Sequence, residues 1–144
     1  MTRRIAIIPA RGGSKRLPRK NLLPFLGRPM IAHTIETAHA CRCFDRVVVS
    51  TEDPEIAEAG RIAGAQISAR PASLATDTAG VVDVCLDLLT TVEHAGRSYD
   101  VFACLYATAP LRRADDVAAV MALLEDEHAD FAMAITTFPI APTK

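Results

Sequence analysis

Ile5-Ala-Ile-Ile-Pro9-Ala10-Arg11-Gly12-Gly13-Ser14-Lys15-Arg16-Leu17-Pro18-Arg19-Lys20-Asn21 decides how the rest of this 144-residue chain is read. Ile5, Ile7 and Ile8 make a short, wholly apolar run, which predicts a strand covered on both faces of a parallel sheet. At Pro9 it gives way to a loop with two adjacent glycines, five basic side chains and no acid. The first acid of the chain is Glu36, and eight of the sixteen Lys and Arg precede it. Such a loop either holds an anion or is a solvated basic segment.

Working outward, the spacing alternates strands with helices. Gly27-Arg28-Pro29 predicts a helix with proline in its first turn and Ile31, Ile35 and Ala38 on one face. Arg46–Ser50 is a second buried strand, and Asp53-Pro54 is an N-cap and first-turn proline opening a helix to about Ala63. Gln66–Ala69 is a weaker strand, and Arg70–Ala79 a loop. Val81, Val84, Cys85, Leu88 and Val92 recur at helical spacing. Val101–Tyr106 is a strand running into Thr108-Ala109-Pro110. Asp115 and Asp116 suit a helix N-terminus, with Val117, Val120, Met121 and Leu124 as its apolar face. Phe131–Ile135 is expected as a last strand, with loop to Lys144. The alternation predicts one α/β domain over residues 1–144, with a mostly parallel, doubly covered sheet and right-handed crossovers. A sheet that stops one loop beyond a buried strand is expected to be incomplete at its C-terminal side.

Half of the residues are hydrophobic and the net charge is −1, which disfavours general attraction to nucleic acid or membrane. No apolar run reaches the ~20 residues of a membrane span, and the run behind Arg3-Arg4 is too short for a signal peptide. Cys41, Cys43, Cys85 and Cys104 lack C-x-x-C spacing, so free thiols in a reducing cytoplasm are expected rather than a metal or redox centre. His33, His39, His94 and His128 are scattered and are expected at the surface.

A loop leaving the carboxyl end of the first strand lies where open α/β sheets bind ligands. Gly12 and Gly13 let main-chain N–H groups approach an anion closely, and Arg11, Lys15 and Lys20 add charge-assisted hydrogen bonds to phosphate oxygens. Pro9 and Pro18 stiffen the loop. G-x-x-x-x-G-K-[ST] and G-x-G-x-x-G are both absent, which excludes the two familiar phosphate loops. A polyphosphate site is the better physical reading, with Arg16 and Arg19 facing solvent. An RNA-binding loop is disfavoured by the net charge and by the lack of aromatics within the loop.

Pro9–Asn21 resembles the nucleotide-binding signature of the acylneuraminate cytidylyltransferases, which activate nine-carbon keto sugar acids as CMP conjugates. The resemblance continues through Gly27–Ile31, Phe44–Thr51 and Arg70–Thr78, covering nearly the whole chain in order. The cytidylyltransferase for the eight-carbon sugar acid usually lacks the pair seen here as Lys20-Asn21. What the resemblance implies is a three-layer αβα Rossmann-like nucleotidyltransferase fold, with CTP and a nonulosonic acid as substrates. Ala10, Arg11, Gly12, Gly13, Ser14, Lys15 and Lys20 would hold the triphosphate and Asn21 the nucleotide near its ribose. Arg70 and the turn Asp77, Thr78, Ala79 and Gly80 would close over cytosine and ribose. Arg11 and Lys20 would stabilise charge in the reaction, and no residue is a convincing general base.

Tyr106, Thr108, Ala109 and Lys144 would line the sugar pocket. Sialic acid enzymes carry glutamine at the place of Tyr106 and hydroxyl residues at Gly80-Val81. Tyr106-Ala-Thr-Ala-Pro110 is more similar to the pseudaminic acid cytidylyltransferases. The resemblance also implies Mg²⁺ and, for the full-length family member, a homodimer. The aspartates that would bind the metal, an arginine of the sugar site and the dimerisation segment belong to a region of the family beyond the last residue here. A CMP-sialic acid synthetase and a non-catalytic CTP-binding fragment are the alternatives.

Overall fold

The computed structural model describes residues 1–137. Its order is β1 (Arg4–Pro9), β2 (Pro24–Phe25), β3 (Arg28–Pro29), α1 (Met30–Ala40), β4 (Arg46–Thr51), α2 (Pro54–Ile62) and β5 (Gln66–Ala69). A 3₁₀ turn (Ala72–Leu74), α3 (Val81–His94), β6 (Val101–Cys104) and α4 (Ala114–Asp126) complete it. The main sheet runs β5-β4-β1-β6, and all its pairings are parallel. Ile5 to Pro9 stand opposite Arg46 to Ser50, and Arg4 to Ile7 opposite Val101 to Cys104.

The two-residue period of β1 divides the core. Ala6 and Ile8 pack with Ile31, Ile35, Ala38 and Ile56, so α1 and α2 cover one face. Ile5 and Ile7 pack with Cys85, Leu88 and Val92 of α3 on the other. Every residue from Ile5 to Ile8 is 0 % exposed, as a central strand between two helical layers requires. Helix α4 buries Val117 and Met121 and ties to β1 through Arg4, whose guanidinium Nη2 donates to Glu125 at 2.7 Å.

Three expectations need correction. Pro29 is the N-cap of α1 and a residue of β3 rather than part of the first helical turn. Leu26 (φ 48°) and Gly27 (φ +79°) form a two-residue turn joining β2 to β3, and paired positive φ values are what a type I′ hairpin demands. Second, β6 ends at Cys104, and Leu105 and Tyr106 already belong to the following loop. Third, Phe131–Ile135 is not a strand: Phe131, Met133 and Ile135 are 78, 70 and 83 % exposed. An apolar run becomes a strand only when a neighbour satisfies its backbone, and among the described residues none pairs with it.

The consequence for function lies at one edge. The loops after β1, β4, β5 and β6 all leave the carboxyl ends of parallel strands and so meet along one rim.

Candidate functional site

A cavity of about 190 Å³ opens at that rim. The loop after β1 supplies Pro9, Arg11, Lys20 and Asn21; the segment after β5 supplies Arg70, Asp77 and Ala79; the loop after β6 supplies Tyr106 and Thr108. Residues far apart in sequence therefore converge because four parallel strands end together. A larger groove of about 510 Å³ between α1 and α2 is lined by Glu36, Glu55 and Glu58 with Arg28 alone opposing them and paired to Glu36, a net acidic pattern unsuited to a polyphosphate.

The expected residues divide into three groups. Arg11, Lys20, Asn21, Arg70, Asp77, Ala79, Tyr106 and Thr108 line the cavity. Gly12, Gly13, Ser14, Lys15, Thr78 and Ala109 lie outside its lining, as does Ala10, whose N–H donates to the Ser50 carbonyl at 3.0 Å. Ala10 is 1 % exposed and serves the core. Lys144 falls outside the described residues.

The basic loop has no acid of its own, yet the fold brings acids to it. Glu52, just after β4, accepts the Gly12 N–H at 2.8 Å. Asp77 accepts Arg11 at 2.6 Å and meets Lys15 at 2.5 Å, and those two cations hold its carboxyl below the usual carboxylate range. Asp53 accepts Arg19 at 2.5 Å. Arg16 is exposed, as expected, but Arg19 is bound to α2 rather than free in solvent. Nothing local in the sequence identifies these partners, because they arrive from 34 to 66 residues away.

Asn21 is 3 % exposed and donates from Nδ2 to the Arg11 carbonyl at 3.0 Å, closing the loop on itself. Arg70 is 8 % exposed; its Nη2 donates to the Ser50 carbonyl at 2.9 Å, and burial pushes its guanidinium pKa down. Among the described residues neither Arg70 nor Lys20 has a carboxylate partner within ion-pair distance. Among the described residues these two cations lack a direct carboxylate contact, although Glu52 acts on Arg70 from a distance, and both face the same cavity.

Across the cavity, the Tyr106 side is organised from beneath. Thr34 of α1, 0 % exposed, donates to the carbonyls of Tyr106 at 3.4 Å and Ala107 at 3.3 Å. Arg112 reaches back to the same Tyr106 carbonyl at 3.4 Å, and burial lowers its pKa. Sequence reading missed Thr34 and Arg112; Thr34 is legible only as a polar residue on an otherwise apolar helix face. Nor do all histidines merely face solvent: His33 Nε2 lies 2.7 Å from the Phe25 carbonyl and ties the β2–β3 hairpin to α1. The four cysteines are free. No group of three or more His, Cys, Asp or Glu suited to a metal ion occurs among the described residues, and no described helix is long and apolar enough to cross a membrane.

Comparison with known proteins accords with this geometry. The chain is 39 % identical over 135 residues to a pseudaminic acid cytidylyltransferase of Campylobacter jejuni, covering 93 % of this chain and 58 % of that protein. A CMP-N,N'-diacetyllegionaminic acid synthase of Legionella pneumophila is 40 % identical over 114 residues, covering 78 % of this chain and 49 % of that one. The chain thus spans about half the length of the curated relatives it matches. Among solved structures, a CMP:2-keto-3-deoxy-manno-octonic acid synthetase complexed with CTP superposes with a TM-score of 0.75 at 30 % identity, over 89 % of this chain and 49 % of that one. A 4-diphosphocytidyl-2C-methyl-D-erythritol synthase, at 11 % identity and a TM-score of 0.67, shares the Rossmann-like nucleotidyltransferase fold. The sequence profile described as Cytidylyltransferase matches residues 5–140, and the chain belongs to that family.

Proposed function

We propose that the protein transfers CMP from CTP to a nonulosonic acid, with pseudaminic acid as the preferred acceptor and pyrophosphate as the leaving group. The observation that carries this reading is the cavity at the strand ends, where Arg11, Lys20 and Arg70 from two loops face Tyr106 and Thr108 from a third. In the reaction the acceptor's anomeric hydroxyl gives its proton to solvent and forms a new bond to the α-phosphorus, the bond to the bridging oxygen breaks, and pyrophosphate departs. Arg11 and Lys20 neutralise charge on the phosphates, and the Gly13 main-chain N–H adds a dipole to the same anion, the Gly12 N–H being held by Glu52. Ser14 and Lys15 flank the triphosphate, Asn21 meets the nucleotide near its ribose, and Arg70 with Asp77, Thr78 and Ala79 encloses the base and ribose. Tyr106, Thr108 and Ala109 form the near wall of the acceptor pocket. Pseudaminic acid is supported by Tyr106 and by the name of the Campylobacter jejuni relative.

Mg²⁺ belongs to the reading through family resemblance, and it would screen the triphosphate charge. The donors described here do not fit it: Glu52, Asp53 and Asp77 each already accept from an N–H group or a cation. The work assigned to this chain is therefore cationic. A homodimer and a cytoplasmic location go with the same proposal, the latter consistent with four free thiols.

Differential scanning calorimetry with added CTP tests the binding step. At 100 times its Kd, CTP is expected to add about 2.7 kcal/mol of stability; no shift at millimolar CTP would end the proposal. Pyrophosphate release from CTP, Mg²⁺ and either pseudaminic or sialic acid then separates the acceptors. Equal rates with both acids would remove the preference for pseudaminic acid. Protection by CTP without any pyrophosphate release would favour a non-catalytic CTP-binding role for this chain.

A further inference from the structure

Arg19 is the one residue of the basic loop that combines a left-handed backbone (φ 56°) with a fixed side chain. That region costs a non-glycine residue of the order of 1 kcal/mol, so it persists only where the surroundings hold it. The main holder is Asp53, with the exposed Glu55 Oε2 also 2.9 Å from Arg19 Nη2. One Asp53 oxygen, Oδ2, accepts Arg19 Nη1 at 2.5 Å. The other, Oδ1, caps α2 by accepting the Glu55 and Ile56 N–H groups at 2.9 and 3.0 Å. The Asp53 N–H in turn donates to Thr51 Oγ1 at 3.1 Å. Its side chain is 11 % exposed, so this carboxylate is anchored to the end of β4 and the start of α2.

The same carboxylate touches the loop a second time. A Cβ placed on Gly12 would lie 2.3 Å from Asp53 Oδ2, so the Gly12 backbone rests directly against it. Asp53 therefore meets the basic loop near its start, at Gly12, and near its end, at Arg19. Lys20 follows Arg19 immediately and lines the cavity, while Arg19 does not.

We propose that Arg19 and Asp53 are positioning residues of the triphosphate site: their ion pair holds the Arg19 backbone in the conformation that aims Lys20 into the cavity. Neither residue touches the ligand. The pair acts by pre-organising the cation, which removes the ordering cost that a free lysine would bear on binding. The inference rests on the proposed CTP site, and the experiment below tells the two apart.

Isothermal titration of the whole 144-residue chain with CTP supplies the test. Asp53→Asn retains an N-capping side chain while removing the charge, so α2 should persist. Asp53→Asn and Arg19→Ala are each expected to weaken CTP binding by about fivefold to tenfold, with melting curves still cooperative. Arg19→Gly keeps the left-handed backbone accessible but removes the pin, and should weaken binding to a similar extent. The decisive readout is coupling: in a Lys20→Ala background, Arg19→Ala should cost nothing further. Losses that simply multiply would mean that Arg19 acts directly on the ligand or as general charge, and would overturn the assignment. Unchanged affinity in Arg19→Ala would overturn it as well. If the wild-type chain binds no CTP, the proposed function falls first and takes this inference with it. A wild type that binds, with single variants that bind equally well, removes only the inference.

Discussion

Two loops face each other across the cavity, and they are held by different physics. The loop after β1 is held by charge: Glu52, Asp53 and Asp77 reach it from other elements and engage Gly12, Arg19, Arg11 and Lys15. The loop after β6 is held from below by neutral hydroxyls, Thr34 to the carbonyls of Tyr106 and Ala107 and Thr37 to that of Arg112 at 3.2 Å, with Arg112 contributing longer contacts. In the charge-held loop the Asp53–Arg19 pair stays as an anchor, while Arg11 and Lys15, paired with the exposed Asp77, can turn to an anionic ligand. A hydroxyl-held loop keeps one shape whatever the ionic surroundings, because neutral hydrogen bonds are little affected by salt. The first suits a triphosphate, and the second suits a neutral wall against which an acceptor is sorted.

The contrast can be broken most forcefully at the cations. Lys20→Ala with Arg11→Ala removes two charge-assisted contacts, each about 1.5–3 kcal/mol, and CTP affinity measured by calorimetry should fall by more than about a hundredfold. Thermal stability should fall only slightly, by the small share of the exposed Arg11–Asp77 pair, since Lys20 has no carboxylate partner among the described residues. Gly12→Ala is the next largest. Its Cβ would meet Asp53 Oδ2 at 2.3 Å, and the resulting strain should cost about 1–3 kcal/mol in urea unfolding. Thr34→Val tests the other loop. Loss of a buried hydroxyl donor should cost about 1 kcal/mol of stability and leave CTP affinity unchanged. A large loss of CTP binding in Thr34→Val would erase the distinction between the two loops.

The smallest effect is on pH. The Asp77 carboxyl is held low by Lys15 and Arg11, and burial pushes Asp53 up while the Ile56 N–H and Arg19 outweigh it and hold it low. Both are depressed in the folded state. Their contribution is therefore complete above the unfolded carboxylate pKa, about 4, and is lost as pH falls through the lowered folded values. Acid titration of the melting temperature should show this loss below about pH 4. Asp77→Asn should flatten the profile slightly, because its ion pairs are exposed. An unchanged acid limb in both Asp77→Asn and Asp53→Asn would mean that charge does not hold the loop after β1.

Much of the fold was readable in advance, and the reason differs by element. Ile5–Ile8 and Arg46–Ser50 announce themselves because a strand covered on both faces has no polar side to disguise it. Asp53-Pro54 marks a helix start through local chemistry, and Asp53 does cap α2. Phe131–Ile135 misled because apolar composition says nothing about whether a pairing partner is present. The β2–β3 hairpin was missed because Leu26 at positive φ carries no turn signature, even with Gly27 beside it.

For the site, sequence alone determined the cation loop, its glycines and its place after a buried strand. Those properties are local: they depend on residue type and on neighbours within a few positions. Sequence could not determine what the loop is held by. Asp77 with Arg11, Asp53 with Arg19, and Thr34 beneath Tyr106 join residues 34 to 72 positions apart. Only the parallel sheet, by ending four strands at one rim, brings those partners together. Arg19 makes the point most sharply: by composition it is one more solvated base, and by position it is the pin beside Lys20. Charge is written in the residues, but its direction is decided by packing.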